Sequence, residues 1–67
     1  MTKQEKITKA KTAIKEFKTV VAQNWIAIEF EKRREKPDQK KIDTCEFNTK
    51  DAEQYIKWTQ DILKSLG

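Results

Sequence analysis

The segment that decides the fold reads WIAIEFEKRREKPDQKKIDTCEF over residues 25–47. Both of its ends alternate between apolar and polar residues, with the period of two that is typical of a β-strand. The apolar members of the two alternating stretches are Ile26, Ile28, Phe30, Cys45 and Phe47. Between the stretches, KPDQ at residues 36–39 suits a turn, because Pro presets φ at the first central position and Asp is favoured after it.

Reversal of the chain at this turn predicts a strand register. It pairs Ile28 with Phe47, Phe30 with Cys45, and Lys32 with Asp43. One register therefore gives two apolar cross-strand pairs and one charge pair on the same face, which favours a β-hairpin over residues 26–47. An isolated hairpin is marginally stable, so further elements must cover it.

Two amphipathic helices are predicted on either side of the segment. Residues 2–24 and 49–66 both carry apolar residues at the i, i+3, i+4, i+7 spacing of one helical face. The first set is Ile7, Ala10, Ala13, Ile14, Phe17, Val20 and Val21, and the second is Ala52, Tyr55, Ile56, Thr59, Ile62, Leu63 and Leu66. Thr2 with Glu5 forms a capping-box pattern, Asn48 or Thr49 can cap the second helix, and Gly67 suits its C-terminal end.

These elements predict an α+β fold of α-β-β-α order, with two amphipathic helices packed on a two-stranded antiparallel hairpin. Residues 1–67 then form a single small basic binding domain. The alternative continues the first helix to about Lys36, because residues 29–35 are good helix formers and Pro37 would end the helix. In that case the protein is an all-α helical hairpin, and we expect it to be dimeric.

Composition argues against an enzyme. The chain has no His, its one Gly is the last residue, and its one Ser is Ser65. It therefore lacks the usual proton shuttle, the commonest metal ligand and any Gly-rich phosphate loop. Cys45 has no His to activate it, so we expect a small core residue there instead of a nucleophile. We expect no catalytic residue, no metal, no cofactor and no small-molecule substrate.

Charge favours a nucleic-acid partner. The net charge is +4, with 15 Lys and Arg against 11 Asp and Glu. Two basic groups stand out: a ridge beside the apolar face of the first helix, and the tip of the predicted hairpin. They consist of Lys11, Lys15 and Lys18 in the ridge, and of Arg33, Arg34, Lys36, Lys40 and Lys41 at the tip. We expect a regulatory or accessory protein that binds DNA or RNA phosphates through both groups.

A protein target is the alternative partner. Trp25 and Trp58 lie at the margins of the predicted core faces, where an aromatic residue can anchor a protein interface. The chain would then be an interaction module, such as an inhibitor or adaptor of the kind encoded by phages or other mobile elements, and it could form a homodimer. No apolar run is long enough to span a membrane, and the N-terminus does not resemble a secretory signal, so we expect a cytoplasmic location and no membrane partner.

Overall fold

The computed structural model describes residues 1–67 and consists of two α-helices joined by a tight turn. Helix α1 runs over Lys3–Lys32 and helix α2 over Gln39–Leu66. They pack antiparallel into a rod of 52 × 14 × 14 Å. The predicted α+β fold is therefore wrong, and the alternative, an all-α helical hairpin, describes the architecture.

The predicted strands at residues 26–30 and 41–47 are helical throughout. Extending an existing helix adds one hydrogen bond for each residue that is ordered, whereas a hairpin requires a new nucleus and a sheet face that the helices must cover. Glu29, Glu31 and Lys32 favour the helical choice. As a result, Ile28 is buried, while Ile26 and Phe30 on its supposed strand face are exposed. Phe47, also predicted in the core, is exposed as well.

The helices meet along a seam that repeats every seven residues. The seam of α1 is Ile7, Ala10, Ile14, Phe17, Val21, Asn24, Ile28 and Glu31, and that of α2 is Ile42, Cys45, Thr49, Ala52, Ile56, Thr59, Leu63 and Leu66. Alternating steps of three and four residues on both helices are the pattern of a coiled coil. Apart from Ala13 and Glu29, every residue that is not exposed belongs to this seam.

The seam pairs the helices from the turn to the open end of the rod. Its spacing places Glu31 level with Ile42 nearest the turn, and Ile7 level with Leu66 at the open end. Cys45 is half-buried in the seam, in agreement with its predicted packing role. The core is small, since the only buried apolar residues are Ile28, Ile42 and Ala52.

All four helix ends are capped, and at the end of α1 the backbone N–H of Arg33 donates to the carbonyl oxygen of Phe30. Thr2 and Glu5 form the predicted capping box at the start of α1. The backbone N–H of Gly67 donates to the carbonyl oxygen of Leu63, which confirms the predicted C-cap. The predicted cap at residues 48–49 is wrong, because Asp38 caps α2 ten residues earlier by accepting from the backbone N–H groups of Lys40 and Lys41.

A buried glutamate holds the turn together. Glu31 Oε1 accepts the backbone N–H of Asp38 at 2.9 Å, and Glu31 Oε2 lies 3.2 Å from Arg34 Nε. One carboxylate therefore ties the last turn of α1 to the residue that caps α2. Pro37 keeps the preceding residue out of the helical region, so the reversal falls where the sequence predicted it, although it connects two helices.

Candidate interaction surfaces

An apolar surface lies along one side of the rod, and we call it the Tyr55 face. Its members are Ala13 and Val20 of α1, and Tyr55, Trp58 and Ile62 of α2. On each helix these residues flank the seam on the same side, and Val20 and Tyr55 line one groove with the seam residue Phe17. The Tyr55 ring stacks at 5.5 Å from Phe17 and at 5.8 Å from Trp58, measured between ring centroids.

The Tyr55 face is exposed although the sequence assigned most of it to the core. Val20, Tyr55, Trp58 and Ile62 are between 38% and 54% exposed. The seam uses only two of every seven residues on each helix. Apolar residues that lie beside the seam are therefore not covered by the other helix and face outward. The signal was present in the sequence as an apolar stripe wider than a two-helix seam can cover.

The two tryptophans predicted to form a protein interface lie on different surfaces. Trp58 belongs to the Tyr55 face, whereas Trp25 flanks the opposite side of the seam, in a groove with Glu46 and Glu53. Trp25 and Phe30 are 61% and 67% exposed and form a second apolar patch on the back of α1 with Ile26. Both tryptophans are accessible, and no single flat partner surface reaches both.

The basic ridge on α1 is present and is wider than predicted. Lys11, Lys15 and Lys18 are exposed on the side of α1 away from the Tyr55 face and border one shallow groove. Across the seam, α2 places Lys57 and Lys64 on the same side. We call these five residues the lysine face. None of them forms a salt bridge, since the two ion pairs of the protein both lie near the turn.

The predicted basic hairpin tip does not exist, because residues 26–47 form no strands. Its cations lie at the turn instead, where the guanidinium groups are held by neighbouring carboxylates. Arg33 Nη1 lies 2.9 Å from Glu29 Oε2, and Arg34 pairs with Glu31. The hydrogen bond from Arg33 lowers the pKa of Glu29 below its ordinary value of 4.5, and the charges of Lys32 and Arg33 act in the same direction. The lysines at the turn, Lys36, Lys40 and Lys41, are exposed.

The remaining chemical features are few. No group of three or more His, Cys, Asp or Glu side chains converges as a metal site would require. Neither helix has a stretch long and apolar enough to cross a membrane. Comparison of the chain with protein-family models, curated proteins and solved structures finds no match.

Proposed function

We propose that this protein is an interaction module that pairs with a second copy of itself through the Tyr55 face, forming a four-helix bundle. The observation that supports the proposal is the imbalance between core and surface. On the Tyr55 face, Tyr55, Trp58 and Ile62 are 42%, 54% and 53% exposed, whereas the whole chain buries only three apolar residues. A hairpin that leaves most of its large apolar side chains in water gains stability when a partner covers them.

The seam alone is a weak core. It contains the polar residues Asn24, Glu31, Thr49 and Thr59 and the small residues Ala10 and Ala52. Chains of this length bury only about 60% of their unfolded surface, and single cores below about 70 residues rarely supply more than 3–5 kcal/mol. If a second copy covers the Tyr55 face, about three of every seven residues on each helix become buried. This is the width of the apolar stripe on the helices of a bundle.

The side of the rod that carries the Tyr55 face is large enough to form a stable dimer interface. One long face of the rod measures about 730 Å² from its extents of 52 and 14 Å, close to the roughly 800 Å² that each partner contributes to a standard interface. The exposed apolar part of the Tyr55 face is roughly 300–400 Å². Covering it on both copies removes roughly 600–800 Å² of apolar surface from water, which favours association.

Two features favour a second copy as the occupant. First, Tyr55 lies near the middle of the rod, so a two-fold axis through it keeps both rods aligned along their whole length. Second, the lysine face points the other way. Pairing through the Tyr55 face therefore keeps the five lysines of the lysine face on one copy away from those on the other.

The test is the molecular mass in solution as a function of concentration, measured by sedimentation equilibrium. The chain of 8.0 kDa should reach about twice that mass in the micromolar range. Trp58→Ala should raise the dissociation constant at least tenfold, because it removes an aromatic anchor. Trp25→Ala is the matched control, since it removes a tryptophan of similar exposure from the other side and should leave the dimer intact.

Three results would contradict the proposal. The first is a wild-type chain that is helical but stays monomeric at about 500 μM, a concentration far above a micromolar dissociation constant. The second is equal weakening by both tryptophan variants. The third is a stable heteromeric complex that protects Trp58 while the free protein remains a monomer, which would assign the Tyr55 face to a foreign partner. Circular dichroism of each variant separates lost association from lost folding.

A further inference from the structure

We infer that the lysine face binds the phosphates of a nucleic-acid duplex without reading its sequence. The inference does not rest on the proposed dimer, because the lysine face and the Tyr55 face lie on opposite sides of the rod. Pairing through the Tyr55 face would leave one lysine face outward on each copy.

Only the tertiary structure assembles this surface. Lys11, Lys15 and Lys18 come from α1, and Lys57 and Lys64 come from the distant C-terminal part of α2. Antiparallel packing places the two groups side by side along the half of the rod that holds the chain termini. All five lysines are exposed, and none lies within 4.0 Å of a carboxylate.

The acidic residues of that half of the rod point elsewhere. Glu16 lies on the side of the Tyr55 face, and the heptad positions of Glu5 and Asp61 place them on the outer backs of the two helices. Glu53 borders the lysine face at mid-rod, where it follows Lys50 and precedes Lys57 on α2. The lysine face therefore carries five positive charges with one carboxylate at its edge.

The spacing of the lysines suits two phosphate rows. Lys11 and Lys18 are separated by two helical turns, as are Lys57 and Lys64, which corresponds to about 10 Å along the rod. The two helices of such a pair lie about 8–10 Å apart. The lysines thus form two parallel rows at a separation comparable to the grooves of a duplex, which are about 6 and 12 Å wide.

The chemistry of the lysine face argues against other polyanions. Its side of the rod carries one exposed aromatic residue, Trp25, one heptad beyond Lys18 toward the turn, so it has no row of aromatic side chains on which successive single-stranded bases could stack. Trp25 is also the one large apolar side chain on that side, whereas insertion into a lipid surface needs a continuous apolar face. Arginine is absent from the lysine face, so no residue can fork onto a guanine edge, and we expect binding that is independent of base sequence.

The test is the affinity of the protein for a labelled 24-base-pair DNA duplex, measured by fluorescence anisotropy between about 50 and 200 mM salt. With four to five phosphate contacts per chain, the logarithm of the binding constant should fall with the logarithm of salt concentration with a slope of about −4. Lys15→Glu/Lys57→Glu should weaken binding by about 100-fold at 50 mM salt and reduce the slope by about 2.

The matched control is Lys40→Glu/Lys41→Glu, which changes the net charge equally but acts at the turn. It should leave the affinity within about threefold of the wild type, because the turn lies outside the lysine face. Equal loss in both double variants would overturn the inference, since net charge alone would then explain binding. Tighter binding to a single strand or to a polyglutamate peptide would also overturn it, as would absence of duplex binding at 50 mM salt.

The two proposals fail separately. A protein that dimerises but does not bind the duplex loses only the lysine-face inference. A monomer that binds the duplex through Lys15 and Lys57 loses only the proposed self-association. Circular dichroism at 222 nm confirms that each charge-reversal variant keeps the helical content of the wild type before its affinity is compared.

Discussion

Replacing Glu31 by Ala should open the turn end of the hairpin. The Glu31 carboxylate accepts the backbone N–H of Asp38 at 2.9 Å, and the residue is only 7% exposed. A hydrogen bond to a charged group contributes about 1.5–3 kcal/mol. The pair with Arg34 adds at most about 1 kcal/mol, because the Arg34 side chain is 64% exposed and screened by water.

The net loss follows from these contributions. Ala favours the helix over Glu by a few tenths of a kcal/mol, which offsets a small part of the lost contacts. We therefore expect Glu31→Ala to reduce the free energy of unfolding by about 2 kcal/mol, or the melting temperature by about 10 °C for a chain of this size. Glu31→Gln keeps an acceptor for the Asp38 N–H without the charge, so its loss should be about 1 kcal/mol.

The assay is urea unfolding followed by circular dichroism at 222 nm, with all variants at one protein concentration because association would add to the apparent stability. Glu29→Ala is the control, since it also removes a carboxylate paired with an arginine near the end of α1, but one whose side chain is more open to water than that of Glu31. Its effect on the free energy of unfolding should be clearly smaller than that of Glu31→Ala. If Glu31→Ala and Glu29→Ala destabilise the protein equally, Glu31 does not hold the turn.

Two further predictions concern the seam and the ion pair near the turn. Asn24→Leu should raise the free energy of unfolding by about 1–2 kcal/mol in thermal or urea denaturation. Asn24 is a half-buried seam residue, and its side-chain amide donates only to the Val20 carbonyl oxygen of its own helix. A loss of stability in this variant would show that the fold requires the polar residue in the seam. Arg33→Gln should raise the pKa of Glu29 in a carboxyl NMR titration, because the Arg33 hydrogen bond is the largest cause of its lowering. In the wild type, the ion pair between Arg33 and Glu29 stabilises the protein at pH values above the unfolded-state pKa of Glu29. This stabilisation is lost as the pH falls through the lower folded-state pKa. An unchanged pKa of Glu29 in the variant would exclude Arg33 as the cause of the lowering.

The wrong strand prediction has a physical explanation in the turn itself. When a chain reverses at residues 36–39, a residue a given number of positions before the turn faces a residue about the same number of positions after it. This holds whether the two arms are strands or helices. The predicted strands matched Ile28 with Phe47, and the helical seam instead places Ile28 level with Cys45, only two residues away. Agreement between apolar residues across the turn therefore indicated a reversal but could not distinguish strands from helices.

Local chemistry in the sequence was sufficient for the start of α1, the end of α2, the reversal at Pro37 and the basic ridge of Lys11, Lys15 and Lys18. Each depends on residues within a few positions of one another, so neighbouring side chains decide it. Burial of Glu31 could not be predicted in this way. A carboxylate in a run of alternating charges resembles a solvated side chain until the chain returns and presents the Asp38 N–H to it.

Packing of the two helices decided what remained. Sequence periodicity identified which residues are apolar, but a two-helix seam covers only a narrow stripe, so Tyr55 and Ile62 face outward despite their core-like spacing. The same packing brought Lys57 and Lys64 beside the ridge of α1, across more than 35 residues of chain. Composition and periodicity determined that the protein is amphipathic and basic, whereas the antiparallel register, a long-range property, determined which apolar side chains and which charges share a surface.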